Sequence, residues 1–170
     1  MNALVLAYNR LIVALATLAG VTISVAFVLI IFDVSIRSLG FHPPGFTIPV
    51  VEYGLLHFTM LAAPYLVRRK GHVYIDALLI RLPRVIRTVA EKLVYLICIS
   101  CSLTFAYVSA GLLWESWHSG IFDERAIDMP QWLLYLSMPL CFALVAVEFA
   151  RYLFGPDTMY VDRTRVRDSV

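Results

Sequence analysis

Residues 48–67, IPVVEYGLLHFTMLAAPYLV, form an apolar run of 20 residues that ends at the basic triplet Arg68-Arg69-Lys70. A helix needs about 20 residues to cross the ~30 Å of hydrocarbon in a bilayer. Because lipid offers the backbone no hydrogen-bond partners, a crossing segment must pair its own N–H and C=O groups, as a helix does. The stretch therefore predicts a transmembrane helix that stops at a cluster of positive charge.

Three further runs of similar length and polarity accompany this one, at 11–32, 93–114 and 132–154. The chain of 170 residues is 61% hydrophobic and 15% charged, whereas a soluble domain is about a quarter charged. The first run is too long for the apolar region of a signal peptide, and we expect it to be retained. The sequence predicts an all-α integral membrane fold with four transmembrane helices in one domain, 1–170.

The basic residues are distributed unevenly among the connections. Of the 14 Lys and Arg residues, 12 lie before the first run, in the connection 68–92, or at the end of the last run and in the tail 155–170. The connections 33–47 and 115–131 hold one each. Because positive charge accumulates on the cytoplasmic side, we expect both termini and the connection 68–92 to be cytoplasmic. Tryptophans flank the opposite connection and are expected to anchor the outer interface: Trp114, Trp117 and Trp132.

The connection between the second and third spans contains a short amphipathic pattern. Ile75, Leu78, Leu79 and Leu82 recur at helical spacing, which predicts a helix over about 73–82 that lies in the cytoplasmic interface. Pro83 would end or bend it. The alternative is an ordinary solvated loop.

Two ionisable residues within the second span are candidates for chemistry. Glu52 lies near its outer end, where it could serve as the site of a stand-alone proton-coupled transporter, or reach the headgroups or a partner subunit. His57 lies near the middle, where it could ligate heme in the membrane anchor of a respiratory enzyme, or form a hydrogen bond at a helix contact. The other histidines lie in connections or at interfaces, so a second heme ligand at matching depth is not evident.

Other chemical signatures are not found in the sequence. The cysteines Cys98, Cys101 and Cys141 lie in apolar runs and indicate small buried thiols. We find no metal-ligand cluster, phosphate-binding loop, nucleophile–base pair or basic tract typical of nucleic-acid binding. The sequence predicts no enzyme, no cofactor and no nucleic-acid partner, with membrane lipids as the surroundings.

Three local features have structural interpretations. Asp33 and Arg37 are spaced to pair along a helix, as are Glu148 and Arg151. Two prolines within predicted spans should kink the helix or leave a carbonyl unpaired: Pro64 and Pro139.

Several short motifs occur in a defined order along the predicted spans. A glutamate near the outer end of the second span is followed by Leu61-Ala62-Ala63 and then by residues 68–76, RRKGHVYID. The entry to the last span, residues 128–140, has the sequence DMPQWLLYLSMPL. This order of motifs resembles the small membrane subunit of tripartite ATP-independent periplasmic (TRAP) transporters. In that family an arginine, a His-Val or His-Ile pair and an aspartate four residues after the histidine follow the second span, and the entry to the last span is similar too.

The resemblance implies a role and partners. It implies a multi-pass protein of the bacterial inner membrane that acts as a scaffold for a large membrane subunit, which imports organic acids with a sodium gradient. It also implies a periplasmic binding protein as a partner, which this subunit would help to dock. Residues that match the motif become candidates for subunit contacts: Glu52, Arg68, Arg69, His72 and Asp76. The substrate-binding residues and the substrate are left unspecified.

Overall fold

A computed structural model describes residues 3–69, 84–124 and 128–155. The described residues form five helices and a short β-hairpin. In chain order these elements are α1 (Ala3–Ser38), α2 (Thr47–Arg68), α3 (Arg84–Ser119), β1 (Phe122–Glu124), β2 (Asp128–Pro130), α4 (Gln131–Tyr135) and α5 (Ser137–Phe154).

Four segments are long and apolar enough to cross a membrane, which confirms the prediction of a helical protein with four such segments. They comprise α1, α2, α3 and the consecutive pair α4–α5. Helices α1 and α3 have 36 residues each, or about 54 Å at 1.5 Å per residue, so both exceed the bilayer core. The predicted helix at 73–82 and the tail from 156 lie outside the described residues, and their arrangement stays a prediction.

The two intramembrane prolines have different effects on their helices. Helix α2 continues without a break through Pro64. The last segment is interrupted at Leu136, between α4 and α5, although Leu136 itself keeps right-handed helical angles (φ −55°, ψ −42°). Pro139 has no N–H to donate to the carbonyl of Tyr135, four residues earlier. The interruption is therefore a local loss of hydrogen bonding rather than an unwound segment.

The helices pack in the spatial order α1, α2, α5, α3. Extensive contacts join α1 to α2, α2 to α5, and α5 to α3. Within the most apolar stretch of each segment, 33% of residues are buried in α4–α5 and 22% in α2, against 11% in α1 and in α3. The two central helices are thus covered on two sides, while α1 and α3 form the edges of a layer.

Each edge helix contributes a narrow stripe of buried residues with a spacing of seven. The stripe of α1 consists of Ile12, Ala19 and Ala26, and that of α3 consists of Tyr95, Ser102, Ser109 and Ser116. On α3, Glu91 is also buried, one turn before Tyr95. A spacing of seven residues is close to two helical turns, so these side chains remain on one face over a long contact. Small residues in the stripes allow the backbones to approach closely.

Hydroxyl groups on the exposed helix faces bond to their own helices. Thr17, Ser24, Ser100 and Thr104 each donate to the carbonyl four residues earlier, at 2.7–2.9 Å. Such bonds satisfy the hydroxyl without water. The faces of α1 and α3 are therefore compatible with lipid.

The connection after α3 forms the hairpin β1–β2, which was not predicted from the sequence. Gly120, with φ +60°, follows the last helical residue and supplies the left-handed turn. The two strands are antiparallel, with Phe122 opposite Pro130 and Glu124 opposite Asp128. We call this side of the layer the hairpin end. The opposite side, where α2 and α5 end, is the Arg68 end.

Candidate functional site

A cluster of polar side chains joins the start of α1 to the ends of α2 and α5. We call it the polar cluster, and it consists of Tyr8, Asn9, Arg68, Glu148, Arg151 and Tyr152. It is built from residues far apart in the sequence, because the antiparallel packing brings the first turns of α1 beside the last turns of α2 and α5.

The centre of the polar cluster is the carboxylate of Glu148, which is 1% exposed. Tyr8 donates its hydroxyl to Glu148 Oε1 at 2.9 Å. Arg151 Nη1 donates to both carboxylate oxygens, at 2.9 Å and 3.2 Å, which confirms the predicted pair. The Arg151 guanidinium also lies over the Tyr8 ring, 5.9 Å from its centroid. A buried carboxylate is costly unless it is paired and hydrogen-bonded, and here both conditions hold.

Arg68 belongs to the same cluster through two contacts. Its Nη2 donates to the side-chain oxygen of Asn9 on α1. Its backbone carbonyl accepts from the Tyr152 hydroxyl at 2.9 Å. The last carbonyls of a helix have no partner within the helix, so Tyr152 satisfies one of them for α2. The Tyr152 ring lies 6.1 Å from that of Tyr95, which connects α3 to this end.

Arg69 is directed away from the polar cluster. Its Nε donates to the Tyr65 hydroxyl at 2.9 Å, and its guanidinium lies 5.3 Å from the centroid of that ring. Arg68 and Arg69 are thus both engaged within the chain. His72 and Asp76 lie outside the described residues, so the predicted role of these four residues in subunit contact stays a prediction.

Glu52 is exposed at the hairpin end, in the second turn of α2, which begins at Thr47. Together with Asp33 and Thr47 it lines a cavity of about 140 Å³ between α1 and α2. Asp33 Oδ2 accepts from Arg37 Nε at 2.7 Å, as the sequence predicted. Glu52 therefore lies at the opposite end of the layer from Arg68 and Arg69, the described residues of the basic motif.

Both ring nitrogens of His57 face backbone oxygens. Nδ1 lies 2.8 Å from the carbonyl oxygen of Tyr53, and Nε2 lies 3.2 Å from that of Leu133 on α4. A heme ligand needs a nitrogen lone pair directed at iron. The observed geometry instead matches the second interpretation from the sequence, in which His57 forms a hydrogen bond at a contact between helices. Within residues 3–69, 84–124 and 128–155, we find no group of three or more His, Cys, Asp or Glu that could hold a metal.

The tryptophans all lie at the hairpin end. Trp114 and Trp117 are exposed on the last turns of α3. Trp117 contacts Trp132 of α4 edge to face, with ring centroids 5.0 Å apart, and Trp114 packs on His118 of its own helix at 4.4 Å. Trp117 therefore also connects two helices, while anchoring of all three in the outer interface stays a prediction.

Sequence reasoning missed Tyr8 and Asn9 as members of the polar cluster. Both lie before the predicted first span, which begins at residue 11. The observed helix α1 begins at Ala3 and therefore includes them. A signal was present: Tyr8 and Asn9 are neighbouring hydrogen-bonding side chains next to an apolar run, on the same side of the predicted topology as Glu148. Their partners could be identified only from the packing of α1, α2 and α5.

Comparison with known proteins identifies the family. The family model described as tripartite ATP-independent periplasmic transporters, DctQ component, matches residues 26–156. A search of curated proteins finds no match. The matched range includes the last third of α1 and every later described helix, whereas Tyr8 and Asn9 precede it. The chain therefore belongs to the DctQ family and is a small membrane subunit of a TRAP transporter.

Proposed function

We propose that this chain is the scaffold of a sodium-gradient-driven TRAP transporter for organic acids. In this role it holds the large membrane subunit and helps to dock the periplasmic binding protein, and it carries out no catalysis itself. The layered packing is the observation that carries the proposal. The edge helices, in whose most apolar stretches 11% of the residues are buried, present long apolar faces to lipid and to a partner helix.

The charged groups of the described residues support a scaffold over a stand-alone transporter. Glu148, Arg151 and Arg68 are held by partners within the chain at one end of the layer. Glu52 lies at the other end beside a small cavity. An ion path would need polar groups that follow one another across the layer. The buried residues between these two ends are mainly apolar or small, such as Ala19, Leu61 and Cys141.

We further propose an orientation in which the Arg68 end faces the cytoplasm of a bacterial inner membrane. The argument is the concentration of basic residues at that end. The hairpin end then faces the periplasm, where the binding protein approaches. A C-terminal alkaline phosphatase fusion should be inactive and a fluorescent protein fusion at the same place should fluoresce. The opposite pair of results would reverse the orientation.

Reconstitution tests the transport role. Proteoliposomes that contain this chain, the large subunit and the binding protein should take up an organic acid when a sodium gradient is imposed, and omission of this chain should abolish uptake. Uptake by this chain alone that is lost in Glu52→Gln would establish the stand-alone transporter instead. A Soret absorbance band in the purified chain would establish the heme-binding anchor.

The motif after α2 is tested separately. Asp76→Ala should weaken co-purification with the large subunit or reduce uptake, because the resemblance assigns this aspartate to the subunit contact. Asp162→Ala, which removes the same charge from the C-terminal tail, serves as the control. Wild-type behaviour of Asp76→Ala in both assays would mean that the segment acts only as a topology signal.

A further inference from the structure

A groove runs beside the polar cluster, between the start of α1 and the end of α5. It has a volume of about 380 Å³ and is lined by Val5, Tyr8, Asn9, Val147 and Arg151. Val5 and Val147 are both about half exposed and form its apolar walls. Helix α2 separates α1 from α5 over most of their length. At the Arg68 end α1 and α5 approach each other directly but leave a space between them, and this space is the groove.

The polar end of the groove offers hydrogen-bond donors and positive charge. The Arg151 side chain is 50% exposed although its Nη1 contacts Glu148, and a guanidinium has five N–H donors. The Asn9 oxygen accepts from Arg68, so the remaining polar group of Asn9 is its NH₂, which only donates. The Glu148 oxygens, the nearest negative charge in the cluster, already accept from Tyr8 and Arg151. The groove therefore suits a ligand with an anionic head and an apolar tail.

We propose that this groove binds one anionic phospholipid. Its phosphate contacts Arg151 and Asn9, and an acyl chain lies against Val5 and Val147. Arg151 is pre-oriented for this contact, since its pairing with Glu148 and its position over the Tyr8 ring fix the guanidinium. The lipid then fills the space between α1 and α5 and joins them next to the Tyr8–Glu148 hydrogen bond.

Native mass spectrometry of the purified full chain tests the proposal. The chain is mixed with phosphatidylglycerol or phosphatidylethanolamine of identical acyl chains, and retained lipid is counted. We expect phosphatidylglycerol to be retained about fivefold better, the factor that corresponds to one basic side chain at an anionic lipid surface. Equal retention of the two lipids by the wild-type chain would overturn the proposal.

Two variants locate the binding. Glu148→Gln combined with Arg151→Gln removes the groove cation without leaving a buried carboxylate unpaired, and it should abolish the preference for phosphatidylglycerol. Val147→Trp should fill the groove and reduce retention of both lipids. Leu140→Trp, at a similarly exposed position two turns earlier on α5, is the matched control and should retain both.

Three results would count against the groove. The first is a preference for phosphatidylglycerol that survives in the double variant. The second is equal lipid retention by Val147→Trp and Leu140→Trp. The third is loss of the lipid when the large subunit binds, which would show that the groove is a protein interface. The thermal unfolding temperature provides a second readout, since phosphatidylglycerol should raise it in the wild type and in Leu140→Trp but not in Val147→Trp. If the double variant does not fold, the two tryptophan variants decide the question.

Discussion

Replacement of Tyr8 by Phe removes a single hydroxyl that connects α1 to the buried Glu148. The bond is 2.9 Å long and its acceptor is a carboxylate. A hydrogen bond to a charged group contributes about 1.5–3 kcal/mol in soluble proteins, while bonds between membrane helices average about 0.6 kcal/mol with a maximum near 1.7. Because Glu148 keeps Arg151 as a partner, the carboxylate is not left unpaired. We expect Tyr8→Phe to lower the free energy of unfolding by about 1–2 kcal/mol.

The measurement is unfolding by sodium dodecyl sulfate in mixed micelles, followed by tryptophan fluorescence. Tyr107→Phe is the control, because Tyr107 is 83% exposed on α3 and should change nothing measurable. In the Glu148→Gln background, Tyr8→Phe should lower the free energy of unfolding by a smaller amount, because the hydrogen-bond acceptor is no longer charged. The free energy of unfolding of Tyr8→Phe could instead lie within about 0.3 kcal/mol of those of the wild type and Tyr107→Phe, a difference inside the scatter of independent sites. That result would refute the conclusion that this hydrogen bond stabilises the contact between α1 and α5.

Three further predictions concern helix contacts. Gly54→Leu should weaken the α1–α2 contact, because even a Cβ at Gly54 would lie 3.7 Å from Thr22 and 3.8 Å from Ala26, whereas Gly111→Leu projects into open space; thermal unfolding of both variants compares them. Trp117→Leu should lower the unfolding temperature more than Trp114→Leu, because the ring of Trp117 packs on Trp132 of α4, whereas that of Trp114 packs on His118 of its own helix; equal shifts would contradict this. Tyr152→Phe should accelerate amide hydrogen exchange at the end of α2, where it removes the donor to a terminal carbonyl, and unchanged exchange there would show that the hydroxyl does not cap the helix.

The helical character of the fold was predictable because four apolar runs leave the backbone no alternative in lipid. The family was predictable because its motifs occur in order along those runs. Pairs one turn apart, such as Asp33–Arg37 and Glu148–Arg151, follow directly from helix geometry. Each of these inferences uses information contained in a short window of sequence.

The lateral order of the helices was not predictable in the same way. Apolar composition does not distinguish a face that meets lipid from a face that meets another helix, since both media are equally apolar. The spacing of seven between Ser102, Ser109 and Ser116 was visible, but its partner helix was not. For the same reason Tyr8 could not be assigned to Glu148, 140 positions away. The hairpin β1–β2 was missed because its strands have three residues each.

The place of α5 between α2 and α3 has a consequence for synthesis of the protein. Helices α1 and α2 can associate as soon as both have left the ribosome. Helix α3 packs extensively against α5, and α5 is the last helix to be synthesised. A nascent chain that stops before residue 131 therefore consists of a helical pair and a separate third helix without its main neighbour. When the final segment, α4–α5, enters the membrane, it provides α3 with its main neighbour. It also carries Glu148, the carboxylate to which Tyr8 donates its hydrogen bond. Chains truncated within α5 should consequently be recognised and degraded by membrane proteases, even though three of the four crossings are intact.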